Sequence, residues 1–90
     1  MIMDLKRHIV SIIVEDKDVA FHPVSELLHQ YASNILLRVG YPMPECGVSV
    51  IFLVMEMETS AMSAFSGKLG QIRAVKVKTT TLKIEERKES

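Results

Sequence analysis

The chain of 90 residues has no tryptophan, one cysteine, three prolines and four glycines, and its acidic and basic side chains cancel. Each scarcity excludes something. With Cys46 alone, an intrachain disulfide is impossible. No CxxC pair and no Cys/His cluster of structural-zinc spacing is present either. A lone thiol fits a reducing compartment, so a cytoplasmic protein is expected. Eleven Lys plus Arg stand against eleven Asp plus Glu, a formal net charge of +0. Obligatory nucleic-acid binding calls for a basic surplus, so no direct nucleic-acid partner is expected. The same neutrality removes the repulsion that keeps proteins apart. The longest apolar stretch, residues 50–55, is far below the ~20 residues that span a bilayer, so no membrane partner is expected. The apolar run at residues 9–14 is short and interrupted by Ser11, unlike a secretory signal.

A chain of this length makes one domain, assigned to residues 1–83, with a charged and mobile tail at residues 84–90. So small a domain buries only about 60–65% of the surface of its unfolded chain. Without a disulfide or a metal, a partner subunit is the remaining source of stability.

Residues 8–15 are rich in Ile and Val, and both alternating sets are apolar, which implies a strand covered on both sides. Residues 16–18 read as a charged turn. Pro23 suits the first turn of a helix. Val24, Leu27, Leu28, Tyr31 and Ile35 then recur with helical period, and the helix fades near Ser33. Residues 35–39 form a short second strand that the segment Gly40-Tyr41-Pro42-Met43-Pro44 stops. Residues 48–57 carry the strongest strand signal, again apolar on both parities. Thr59 or Ser60 caps a second helix with the stripe Met62, Phe65 and Leu69, and Gly70 ends it in the left-handed region. Residues 74–81 alternate Val with Lys, the pattern of a guarded edge strand.

The order is β-α-β-β-α-β: an α+β fold with a four-stranded antiparallel sheet and two helices on one face. Helices on one face leave the other face of the two central strands bare and apolar. A homodimer or higher homo-oligomer is therefore expected.

Four segments carry a family resemblance: VSIIVED at 10–16, SELLHQYASNILLRVGYP at 25–42, GVSVIFLV at 47–54 and SAFSGKLGQIRAVKVKT at 63–79. Together, over residues 7–81, they resemble the iron-only hydrogenase system regulator family, small proteins of the ACT-like superfamily. The resemblance implies a ferredoxin-like fold, self-association through sheets, and a regulatory role linked to hydrogenase expression or maturation. Its most specific stretches, 66–70 and 38–42, supply the candidate ligand-binding residues Ser66, Gly67, Lys68, Arg38, Gly40, Tyr41 and Pro42. ACT-like amino-acid sites often have a glycine in the loop after the first strand, and residues 15–20 here have none.

Other chemistry is thin. His8, His22, His29 and Cys46 form no recognisable metal pattern, and surface or boundary positions are expected for the histidines. Ser66-Gly67-Lys68 lies at a helix end, where the dipole favours Lys68 over an anion. Asp16/Asp18 and Glu56/Glu58 read as solvated turn charges. No Ser/His/Asp or Cys/His arrangement can be assigned, so no catalytic residue and no cofactor are expected. The leading expectation is a non-enzymatic, effector-sensing regulator acting as a homo-oligomer. The alternatives are an adaptor that binds another protein through its sheet, and a small enzyme with a shared site at a subunit boundary.

Overall fold

Alternation along the first strand decides the architecture. In the computed structural model, which describes residues 4–83, strand β1 (Lys6–Val14) buries His8, Val10, Ile12 and Val14. Strand β3 (Val48–Met57) pairs with it antiparallel, setting Val10 opposite Leu53 and Ile12 opposite Ile51. Strand β4 (Val75–Thr81) flanks β1, and strand β2 (Ile35–Met43) flanks β3. The sheet order is β2-β3-β1-β4, with the two doubly apolar strands in the centre. The fold is α+β and ferredoxin-like, with element order β-α-β-β-α-β.

Helices α1 (Lys17–Gln30) and α2 (Thr59–Gly70) supply the other half of the core. Ala20, Val24 and Leu28 of α1, and Met62, Phe65 and Leu69 of α2, are buried with Val10, Ile12, Leu53, Met55 and Met57 in one cluster. Phe65 is in tilted contact with Tyr31, ring centroids 4.6 Å apart, where the end of α1 meets α2. A helix–sheet core of this kind is held chiefly by apolar burial, about 1.5–3 kcal/mol for each large side chain.

Several local expectations change. Strand β1 begins at Lys6, two residues before the expected start. Helix α1 begins at Lys17, not at Pro23. Asp16 caps it, its carboxylate accepting the Asp18 N–H at 3.0 Å. Pro23 therefore sits inside the helix, where it removes one backbone bond to Val19, itself 40% exposed. The buried stripe Ala20-Val24-Leu28 outweighs that loss and carries the helix through it.

Strand β2 does not stop at Val39 but runs to Met43. Pro42 is accommodated because β2 is an edge strand, with no neighbour on its outer side among the described residues. A bulge at Leu36 resets the register between Ile35 and Leu37. The turn that closes the β2–β3 hairpin has Gly47 at φ 69°. Helix α2 is preceded by Glu58 with no side-chain cap, so neither Thr59 nor Ser60 acts as its cap. Gly70 ends α2 in helical conformation, and the left-handed residue after it is Ala74, at φ 66°. The expected tail at residues 84–90 lies outside the described residues.

Candidate functional site

The candidate residues on β2 fall on a single flank of the helix-covered face. The β2–β3 register places Arg38 opposite Leu53, Gly40 opposite Ile51 and Pro42 opposite Ser49. Leu53 is buried in the core, so this parity faces the helices. Helix α1 lies against β1, and Arg38, Gly40 and Pro42 on the β2 edge stay exposed. Lys17, Phe21, Val24 and Ser25, spaced along one side of α1, form the opposing wall.

The result is a cleft of about 230 Å³ between α1 and β2, lined also by Val14, Ile51, Ser49, Tyr41 and Val50. Its cause is local. Gly40 has no side chain, and a Cβ built on it meets nothing within 4 Å. Ser25 and Ser49, also in the lining, are short, and together these small residues leave a trough between the helix and the strand edge.

The cleft has a clear chemical character. Val14, Val24, Ile51, Pro42 and the exposed ring of Phe21 give it apolar walls. Among the described residues, its only charged lining residues are Lys17 and Arg38. Among the described residues neither makes an ion pair, whereas Lys6, Arg7 and Lys76 each do. No Asp or Glu among the described residues lines the trough, although Asp16 and Asp18 flank Lys17 along the chain. Tyr41 and Val50 pair across the ladder on the opposite parity, the side that faces away from the helices.

The second candidate group is elsewhere. Ser66, Gly67 and Lys68 lie on α2 and do not line the cleft. Lys68 Nζ donates to the Tyr31 hydroxyl at 3.1 Å and sits 5.4 Å from the ring centroid. It ties the end of α2 to the end of α1. The structure therefore brings Arg38, Gly40, Tyr41 and Pro42 together, and separates them from Ser66, Gly67 and Lys68. Lys17, Phe21, Ser25 and Ser49 join the first group without having been singled out from the sequence.

His8 is not a boundary residue. It is 0% exposed, and both ring nitrogens are engaged. Nε2 lies 3.0 Å from the Met57 carbonyl, which can only accept, so Nε2 carries the proton. Nδ1 then accepts from the Thr81 hydroxyl, also at 3.0 Å. The ring bridges β3 and β4 inside the core. His22 is exposed and lies 3.8 Å from Glu26, and Cys46 is exposed in the hairpin turn. Among the described residues no three His, Cys, Asp or Glu side chains come together as a metal site. No helix among them is long and apolar enough to cross a membrane.

The face of the sheet away from the helices is apolar. Ile9, Leu37, Val39, Tyr41 and Phe52 there are 42–58% exposed, with Ile13, Val50 and Val54 half-buried beside them. Polar residues frame this patch: the Arg7–Glu56 pair at one end, and Lys76 and Lys78 along β4.

Comparison with known proteins follows the same lines. Residues 6–79 match the model of the TM1266-like family, described as "Iron-only hydrogenase system regulator, putative". Among solved structures, the chain is similar to the uncharacterized protein TM1266 from Thermotoga maritima. The two share 48% identity over 89% of this chain and 100% of that one, with a TM-score of 0.86. None of the curated proteins matches.

Proposed function

The chain belongs to the TM1266-like family of iron-only hydrogenase system regulators, and we propose that it is a non-enzymatic cytoplasmic regulator that senses an effector as a homo-oligomer. Its target is the expression or maturation of an iron-only hydrogenase. The observation that carries this reading is the bare apolar face of the sheet. Strands about 4.8 Å apart, with about seven residues at ~3.3 Å each, give the β2-β3-β1 part roughly 300 Å² in projection. Burying that area on two copies, at ~25 cal/mol/Å², contributes about 15 kcal/mol, at the upper end of the about 4–15 kcal/mol cost of association. The frame of Arg7, Glu56, Lys76 and Lys78 around an apolar centre matches the anatomy of a protein interface.

The ligand-binding part of the proposal rests on Arg38, Gly40, Tyr41 and Pro42. Tyr41 and Val50 line the cleft and also belong to the parity of the bare face. A ligand that moves either one changes the surface a second copy would meet. That shared pair is a physical route for coupling occupancy to assembly.

Sedimentation equilibrium at micromolar concentration tests the assembly. The protein is expected to sediment as a dimer or larger. Phe52→Glu, which sets a carboxylate in the middle of the bare face, is expected to shift it to monomer with an unchanged circular dichroism spectrum. A wild-type monomer refutes the homo-oligomer and favours an adaptor whose sheet binds a different protein.

A further inference from the structure

The geometry points to a binding site for a small amphipathic carboxylate in the cleft between α1 and β2, its anionic end held by Arg38 and Lys17 and its apolar body laid over Gly40. The inference rests on the effector-sensing reading and adds to it the chemical class of the ligand. Three observations converge on that class.

Charge comes first. Arg38 and Lys17 reach the cleft from opposite walls, one from the sheet and one from the helix. Among the described residues neither has an ion-pair partner and no carboxylate lines the trough. Two like charges in one depression repel each other, and an anion between them removes the repulsion. The guanidinium fork matches a carboxylate through two parallel hydrogen bonds. The hydroxyls of Ser25 and Ser49 are further polar groups within the lining.

Shape and wall chemistry come next. The floor is open at Gly40, where a side chain would have free space. The apolar walls are Val14, Val24, Ile51 and Phe21. Water in such a trough has few partners, and an apolar group displaces it favourably. A volume of about 230 Å³ accepts a ligand of a few carbons beyond its carboxylate. A bare inorganic anion would leave the walls wet. A neutral hydrocarbon would leave the two cations unmatched.

Exposure of the groups is the third. Phe21 is 61% exposed although it is a large aromatic on a helix wall facing a groove. A ligand lying on β2 would cover that ring from the cleft side.

The test uses 4-methylpentanoate as probe and the full chain labelled with nitrogen-15. Titration is followed by amide chemical shifts. Saturable changes are expected at Val14, Ser25, Gly40 and Ser49, with little change on α2. The neutral 4-methylpentanamide, and inorganic phosphate, are each expected to bind at least tenfold more weakly. Arg38→Gln is expected to weaken the carboxylate at least tenfold. Gly40→Val, whose Cβ has nothing within 4 Å to meet, is expected to abolish binding while the fold stays intact. Equal binding of the amide, equal binding of phosphate, or an unchanged affinity in Arg38→Gln overturns the assignment. So do shifts scattered over the surface. The same titration repeated in the ultracentrifuge separates the two readings. Binding in the cleft with no change in assembly defeats effector control and leaves the site standing. Assembly without any cleft shifts defeats the site and leaves the homo-oligomer standing.

Discussion

Gly70→Ala should stabilise this protein. The glycine closes α2 with helical geometry, and the residue after it, Gln71, is also helical at φ −82° and ψ −13°. Alanine has no conformational penalty there. Its Cβ would lie 4.0 Å from Val77 Cγ1, an ordinary van der Waals contact with β4. Two effects favour alanine. It is the better helix former by about 1 kcal/mol in a helix interior, and by less at a last turn. It also narrows the unfolded ensemble, worth about 0.4–1 kcal/mol where the native conformation is compatible. These two overlap, so the net gain is about 0.5–1 kcal/mol. For a domain of this size that is a rise of roughly 2–6 °C in Tm. The companion variant is Ala74→Gly. Ala74 holds φ 66° because its carbonyl accepts the Glu15 N–H at 2.8 Å, which fixes the entry into β4. A left-handed L-residue costs about 1–2 kcal/mol, and glycine gives back part of that through its freer unfolded chain. A net gain of about 0.5 kcal/mol is expected. Urea melts at one fixed protein concentration measure both. A loss of 1 kcal/mol or more in Gly70→Ala would mean that the chain turns at Gly70 rather than at Ala74, and would refute the reasoning.

Two further outcomes follow from the core and from the helix ends. His8→Leu keeps the volume but leaves the Met57 carbonyl without its buried donor and the Thr81 hydroxyl without its acceptor; a loss of about 2 kcal/mol is expected in urea melts, since each unsatisfied buried group costs about 1–3 kcal/mol. Lys68→Ala removes an exposed hydrogen bond and a cation–ring contact between α2 and Tyr31; a loss of about 0.5–1 kcal/mol is expected in the same melts, the scale of exposed contacts of this kind.

The sheet was legible because its signal is periodic over many residues. In β1 and β3 both parities are apolar, and that alone puts them at the centre of the order β2-β3-β1-β4. The lysines of residues 74–81 marked an edge, and Met62, Phe65 and Leu69 marked the inner side of α2; all three of these residues are buried. The terminations were harder. A glycine after a helical stripe reads as a left-handed stop, yet the chain continues helically through Gly70 and turns at a non-glycine, Ala74. Local propensity is a weak prior there, and the Glu15–Ala74 bond between two loops decides the geometry. His8 shows the opposite case. It shares its parity with Val10, Ile12 and Val14, so its burial could have been read from the expected strand at residues 8–15.

The cleft depended on two boundaries, the start of α1 and the end of β2. Taking Pro23 as the first turn of α1 puts Lys17 and Phe21 in a loop, where they carry no directional information. Starting the helix at the Asp16 cap puts Lys17, Phe21 and Ser25 at i, i+4 and i+8, on one side of a continuous cylinder. Ending β2 at Val39 likewise hides Gly40 and Pro42, which share the parity of Arg38 only if the strand runs on. Both errors have the same physical origin. Proline and glycine disfavour helix and strand interiors when only the local chain is weighed, but burial of Ala20, Val24 and Leu28 and the free outer side of an edge strand offset the local cost. Two of the residues that violate local preference line the trough: Gly40 empties the floor, and Pro42 leaves its rim without a backbone N–H. A chain selected only for packing would fill that floor, since Gly40 has room for a side chain and a strand gains from one. Gly40 shares the cleft with Arg38 and Lys17, neither of them ion-paired among the described residues, and the proposed ligand accounts for a vacancy that packing alone would fill.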